Sequence, residues 1–337
     1  MNTSSMLRQS YPPMIRHINP RKDLFAIADL IELCFADTLD QSGRDYISQL
    51  RQVAGGTASF WIGLSGNHIY TPREGLVWEE EGMIVGNLSI FPFQTPQGIE
   101  YLIANVAVHP DFRRRGIARL LTERALEYIR QRGGRRAWLN VREDNTPAYL
   151  LYCSLDFVER LRRTTWQYRP TPSPSQADST VVPSLPAASH QVRRRASAEW
   201  EMQKRWLLST YPPDYHWHLD FQLDSFAPGF FSWLRALLSD SQYEHYSIIH
   251  HDHLIGIATL QSTLREEQYL WMACDPSWEN KAFELFVNHF LRPLASKKKI
   301  SLDYPAQRAI QPLRDFGFVP QQTLIWMYRS IPSSLSI

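Results

Sequence analysis

Little in this sequence leans to an extreme, and each shortage removes a class of protein. Net charge is nearly absent: 36 Lys and Arg against 34 Asp and Glu leave +2, far from the basic footprint of a dedicated nucleic-acid binder. Cysteine is scarce: Cys34, Cys153 and Cys274 are odd in number and far apart. They build neither a disulfide framework nor a zinc site, and three reduced thiols fit a cytoplasmic protein. No apolar run is long enough for a signal peptide or a membrane span, and the opening MNTSSMLRQSYPPM is polar. What is there is an ordinary globular composition, 44% hydrophobic and 21% charged, in 337 residues, about right for two domains.

The break between them is RPTPSPSQADSTVVPSLPAAS at 169–189, rich in Pro, Ser and Ala and without periodicity. The expected division is a domain over 1–169, a linker over 170–190 and a second domain over 191–337. In the first half, a short strand near Ile15–Ile18 precedes a helix with apolar Leu24, Ala28, Ile31 and Phe35 at helical spacing. A second helix is expected around Asp45–Val53, then strands around Ser59–Leu64, Gly75–Glu80, Met83–Pro92 and Tyr101–Val108. A helix over Gly116–Arg130, a strand over Ala137–Val141, a helix over Pro147–Leu155 and a strand over Arg163–Tyr168 complete it. The crossover makes strands 101–108 and 137–141 parallel. The remaining strands look antiparallel, so the class is a mixed α/β sheet.

The second half repeats the first weakly. IVGN at 84–87, VHPDF at 108–112, LDF at 155–157 and WQYR at 166–169 have counterparts in LIGI at 254–257, CDPSW at 274–278, FGF at 316–318 and WMYR at 326–329. Their shared order, with a spacing that shortens steadily, indicates two copies of one fold.

The segment HPDFRRRGIARLL at 109–121 places three arginines between a strand and an apolar helix. The first turn of a helix has unpaired N–H groups and a positive dipole end, which suits phosphate. Gly116 removes a Cβ from the approach, Ala118 is the next smallest choice, and the guanidiniums add charge. A solvated, arginine-rich helix start is the plain alternative.

VAVHPDFRRRGIARLL resembles the signature of the GCN5-related N-acetyltransferases, Gln/Arg-x-x-Gly-x-Gly/Ala after a strand, met by Arg113, Gly116 and Ala118. NTPAYLLYCSLDF resembles a second element of that family, with Asn145, Ala148, Leu151, Tyr152 and Phe157 in place and Asp156 where glycine is usual. The resemblance spans most of 15–168. It implies an acyl-CoA N-acyltransferase fold: a mixed, mostly antiparallel sheet with a splayed parallel pair and flanking helices, here in two tandem copies. It implies acetyl-CoA as co-substrate. The pyrophosphate would be cradled by Arg113, Arg114, Arg115, Gly116, Ile117, Ala118 and Arg119. The pantetheine would lie along Val106, Ala107 and Val108, with Asn145 and Tyr152 beside it. Tyr152 is then the acid for the departing thiolate, with Tyr149 one turn earlier as the substitute.

The general base is not readable. Glu100 is a plausible position, Glu143 and Asp144 are others, and deprotonation through water needs none of them. Asp37, Asp40 and Asp45 flank the region where the family shapes its acceptor pocket. In the second half, alignment through Pro276 turns Arg113, Gly116 and Ala118 into Glu279, Ala282 and Glu284, and Tyr152 into Leu313. Two acids repel a pyrophosphate, so residues 195–330 read as a degenerate copy. HHDH at 250–253 reads as a polar hairpin turn, KKK at 297–299 as a solvated loop, RRR at 193–195 as a solvated helix start, and GLSGN at 63–67 lacks the spacing of a nucleophile elbow.

The expectation is a cytoplasmic acetyltransferase, without metal, acting on a small-molecule or peptide primary amine. No nucleic acid or membrane is expected as partner, and the chain would be a monomer or homodimer. The alternatives are an inactive acyl-CoA sensor or scaffold, and an enzyme for protein N-termini or lysines.

Overall fold

The computed structural model describes residues 14–39, 41–56, 74–168, 190–218, 223–229, 241–262, 267–291 and 299–332. The expected strand at 59–64, the GLSGN segment, Asp40 and the linker at 169–189 lie outside these residues, as do two lysines of the KKK run.

The chain forms two compact units, Met1–Arg160 with Trp326–Ile337, and Leu161–Ile325. In the first, β1 (Met14–His17) leads into α1 (Pro20–Phe35) and α2 (Gln41–Ala54). Then come β2 (Glu74–Glu80), β3 (Met83–Thr95), β4 (Gly98–Val108), α3 (Ile117–Gln131), β5 (Arg136–Arg142) and α4 (Thr146–Cys153). The sheet runs β1-β2-β3-β4-β5 and ends on β12 (Phe318–Ser330), whose last residues belong to this unit. The pairs β1–β2, β2–β3 and β3–β4 are antiparallel, and β4 and β5 are parallel.

Local chemistry sets these elements. Asn19 caps α1 by accepting from the Arg21 N–H (3.1 Å), and Pro20 supplies a preset φ at the first position. Leu24, Ile27, Ala28 and Ile31 then fall on one stripe, buried against Ile47 and Leu50 of α2 and Val77 of β2. On the other face, α3 lies close to β3 because residue 86 is glycine. A Cβ there would stand 2.9 Å from Ile117 Cγ2 and 3.2 Å from Leu121 Cδ1.

The second unit repeats the order. β6 (Val158–Tyr168) enters it at Leu161, followed by β7 (His190–Arg194), α5 (Trp200–Thr210), β8 (Gln242–His250), β9 (His253–Ser262) and β10 (Glu267–Cys274). α6 (Glu279–Phe286), β11 (Lys299–Pro305) and α7 (Ile310–Asp315) complete it. The sheet order is β6-β11-β10-β9-β8-β7, with β10 and β11 parallel. Gly256 repeats the role of Gly86: a Cβ there would be 3.2 Å from Ala282 Cβ of α6.

Two sequence expectations change. The strand at 163–168 does not close the first sheet; it pairs with β11, Ile300 opposite Tyr168 and Pro305 opposite Arg163. Tyr328 of β12 instead packs on Trp138 of β5, ring centroids 5.3 Å apart. Thus each copy's sheet ends on the strand that follows the other copy's last helix. The RRR run is no helix start: Arg193 and Arg194 end β7 and pair with Glu199 (2.5 Å) and Glu244 (2.8 Å). Asp156 keeps the expected turn by adopting φ +59° itself, where its counterpart Gly317 has φ +89°. HHDH is the β8–β9 hairpin turn, with His251 and Asp252 at φ +45° and +61°.

Candidate acyl-CoA cleft

β4 and β5 pair only at Tyr101–Ala137 and Leu102–Trp138. Beyond these the strands part, and a bulge governs what faces the gap. Ser89 pairs with Ala104 but Asn87 pairs with Ala107, so β4 carries one extra residue there. Asn105 takes up the excess at φ +54°. Its amide donates to Tyr46 Oη (2.8 Å) and Ser89 Oγ (3.3 Å), and its carbonyl accepts from Asn87 Nδ2 (2.9 Å). The His109 N–H donates to the Val85 carbonyl (2.9 Å), which makes Gly86–Val108 a non-hydrogen-bonded pair. The backbone N–H and C=O of Val108, and by alternation those of Val106, therefore point into the gap. Cys34 Sγ (3.3 Å) and Arg113 Nε (3.1 Å) reach the Val108 carbonyl from that side.

After β4 a 3-10 turn at Pro110–Phe112 leads to the arginine loop. Arg114 (φ +66°) and Gly116 (φ +80°) are both left-handed, and Gly116 is the residue before α3. A Cβ at 116 would meet no atom within 4 Å. The glycine serves the backbone angle and leaves open space at the helix start, where the first amides of α3 lack intrahelical partners. This fits a phosphate group. The Arg114 guanidinium has no partner among the described residues. Arg119 donates to Ser154 Oγ (2.6 Å).

These features line one cleft of about 960 Å³, which holds Val106, Ala107, Val108, Arg113, Arg114, Gly116, Ile117, Ala118, Arg119, Asn145 and Tyr152. The volume suits a cofactor-sized ligand. Arg115 is not in its lining; that side chain turns to Glu80 (3.3 Å) and lies over the Phe112 ring. Asn145 is present as the cap of α4, accepting from the Ala148 N–H (3.2 Å). Tyr152 is buried, edge-on to Phe157, and burial raises its phenol above the ordinary value. Its hydroxyl has no hydrogen-bond partner among the described residues. Tyr149 is not in the lining.

Glu100 does not join this group. It sits toward the other end of β4, accepts from Trp138 Nε1 (2.6 Å), and faces a different cleft. Glu143 and Asp37 are also outside the lining, and Asp45 with them. Among the described residues Asp144 is the only carboxylate in it, and its bonds to Arg142 (3.0 and 2.8 Å) hold its pKa below the usual range. Cys34 and Phe35 from the end of α1, and Thr38 from the 3-10 turn after it, line the cleft without having been marked by sequence. Burial pushes the Cys34 thiol up, against the pull of Arg113.

Among the described residues the second unit has no such cradle, for a reason the ungapped alignment hid. α6 begins at Glu279 directly after the 3-10 turn Pro276–Trp278, whereas four residues separate the equivalent turn from α3. Ala282 is therefore not at a helix start; it is a buried core residue against Gly256, the place Ile117 takes against Gly86. Glu279 is held by Arg308 (2.6 Å) and by the Tyr304 hydroxyl. Glu284 pairs with Lys281 (3.0 Å), and Leu313 is buried in α7. Among the described residues no group of three or more His, Cys, Asp or Glu could hold a metal, and no helix is long and apolar enough to cross a membrane.

Residues 37–157 match the model of the acetyltransferase (GNAT) family. The [ribosomal protein bS18]-alanine N-acetyltransferase of Salmonella typhimurium is 36% identical over 87 residues, 26% of this chain and 56% of that protein. The Escherichia coli K12 protein of the same name is 33% identical over 87 residues, with the same coverage. The chain thus spans little more than half the length of these relatives. A GCN5-related N-acetyltransferase from Sphaerobacter thermophilus superposes with TM-score 0.56 at 15% identity, covering 96% of this chain and 98% of that one. A tandem GNAT protein from the clavulanic acid biosynthesis pathway gives 0.51 at 15% identity, covering 96% and 100%. At that identity the likeness is one of fold.

Proposed function

We propose, from the match of residues 37–157 to the acetyltransferase (GNAT) family model, that the first unit transfers an acetyl group from acetyl-CoA to a primary amine. The observation that carries the reading is the convergence, in one cleft, of the parted β4–β5 pair, the left-handed arginine loop and the unpartnered Tyr152 hydroxyl.

Each part has a task. The amides at the start of α3 and the Arg114 guanidinium hold the pyrophosphate. The backbone of Val106 and Val108 binds the pantetheine amides as a neighbouring strand would. The Val108 N–H faces the thioester oxygen and stabilises the negative charge that grows on it. The neutral amine attacks the carbonyl carbon, the C–S bond breaks, and Tyr152 donates its proton to the departing sulfur. Burial raises the phenol pKa, which opposes that donation, but burial raises a thiol as well. In a dry site the donation is therefore not uphill by the full shift of the phenol alone.

Asp144 is tied to Arg142 and is a poor base, so the ammonium proton leaves through water. The rate should then rise with pH until the acceptor amine is neutral. The second unit, with Glu279 at its shortened turn, holds no coenzyme A. The acceptor is a polypeptide α-amine, a reading supported by the S. typhimurium relative, which is named for acetylating an alanine of a ribosomal protein.

The test is release of free thiol from acetyl-CoA, with a panel of small amines and peptides that begin with alanine. Acceptor-dependent release that Gly116→Glu eliminates supports the reading. Tight coenzyme A binding with no turnover on any acceptor would make the protein a sensor instead.

A further inference from the structure

Glu100 is a buried carboxylate with one oxygen that takes no hydrogen bond from the described residues, its ion pair with Arg136 being a long one (3.8 Å). It lies near the start of β4, is 3% exposed, and uses one oxygen to accept from Trp138 Nε1. Its other oxygen, Oε1, has no hydrogen bond among the described residues; Arg136 Nη1 is 3.8 Å away. A buried carboxylate is costly unless its oxygens are satisfied. A neutral glutamine would accept the Trp138 bond equally well, so packing alone does not require the charge.

Glu100 lines a second cleft in the first unit, about 580 Å³, with Arg130, Arg135 and Arg136, Gly133 and Gly134, and the backbone end of β12. The three arginines are not equivalent. Arg130 is held by Glu127 through two bonds (2.9 and 2.8 Å) and is neutralised there. Arg135 donates to the Gln97 carbonyl and has no carboxylate partner among the described residues. Arg136 lies over the Tyr328 ring, 5.2 Å from its centroid. Arg135 and Arg136 stand beyond the end of α3, so they are not there to offset its dipole. A Cβ at Gly133 would meet nothing within 4 Å, which leaves that wall open.

We propose that this cleft binds a small amino-carboxylate, a molecule with a primary ammonium and at least one carboxylate, such as a free α-amino acid. The ammonium donates to Glu100 Oε1 at the floor, and the carboxylate accepts from Arg135 and Arg136 at the rim. Buried acceptor and exposed donors are thus arranged for both charges of one molecule. The site is separate from the acyl-CoA cleft and does not depend on the reading of that cleft.

The experiment is calorimetry and thermal shift on the full chain with individual L-amino acids. Succinate and 1,5-diaminopentane serve as probes carrying only one sign of charge. At least one amino acid should bind, and both single-sign probes should bind at least ~10-fold more weakly, the scale of one lost charged hydrogen bond. Glu100→Gln and Arg135→Ala should each weaken the amino acid by ~10-fold or more. Glu100→Gln should leave coenzyme A affinity unchanged, which shows that the variant is folded. Absence of binding by every amino acid would overturn the proposal. So would succinate binding as tightly as the amino acid, which would mark a plain anion site, or binding that survives both substitutions.

Discussion

Removing the Tyr152 hydroxyl separates a proton donor from a packing residue. Tyr152→Phe deletes one oxygen and leaves the ring, with its edge contact to Phe157 (centroids 5.9 Å), in place. The hydroxyl has no partner among the described residues, so the substitution orphans no protein group. Stability should therefore change by no more than about 0.5 kcal/mol. Coenzyme A affinity should hold, because the phenol proton is needed only as the thiolate leaves. The chemical step should slow by roughly 10²-fold or more, about 2.7 kcal/mol of barrier. Single-turnover thiol release on folded protein reads the step, and thermal unfolding reads the fold. Because burial raises the phenol pKa, the hydroxyl stays protonated past the ordinary tyrosine range, so wild type should show no alkaline loss of the acid below about pH 10. An undiminished rate in the Phe variant would refute the acid role. A fall in stability with intact turnover per folded molecule would make Tyr152 a packing residue.

Gly116→Glu should abolish coenzyme A binding in calorimetry, because it sets a carboxylate in the open space at the start of α3; a folded variant that binds normally would remove the cradle assignment. Asp156→Gly should raise stability by about 0.5–1 kcal/mol, since glycine takes φ +59° without strain. The lost Arg329 contact (3.5 Å, with an exposed carboxylate) weighs little against it. A lower melting temperature would contradict this. Burial, with Arg195 and Arg194 adding to it, pushes the His245 pKa down to about 3. Between there and the ordinary value near 6.5 the unfolded chain binds the extra proton, so stability falls as pH drops through that window, by at most ~1.4 kcal/mol per pH unit. His245→Gln keeps a group able to bond Thr259 (His245 Nδ1 is 2.8 Å from its hydroxyl) and should flatten the slope. Urea unfolding at several pH values tests this, and an unchanged slope would count against it.

Much of the first unit was legible because its signals are local. The capped, striped α1, the apolar stripe of α3 and the motifs at 113–118 and 145–157 are each carried by a few adjacent residues. The bulge at Asn105 was not, because it depends on the partner strand: only the pairing of Asn87 and Ser89 shows the extra residue. Cys34 reaches Val108 across 74 positions of sequence, and no spacing rule records a helix end meeting a strand end. Glu100 was misleading for the same reason. Its place in β4 is readable, but which end of the strand opens onto the cleft is set by where β4 and β5 part. The strand after each last helix was legible as a strand, while its membership of the other sheet is a choice between equivalent edges that both copies could offer. In the second copy the missing loop before α6 shifted the helix relative to an ungapped alignment, so Ala282 aligned with Gly116 as a lost cradle position and proved to be core.

On the proposed reading, one acyl-CoA site exists per chain and lies in the first unit. Titration of the intact chain with coenzyme A by calorimetry measures this directly. One molecule should bind per chain, and none after Gly116→Glu. Two equivalent sites, or one site that survives Gly116→Glu, would contradict it.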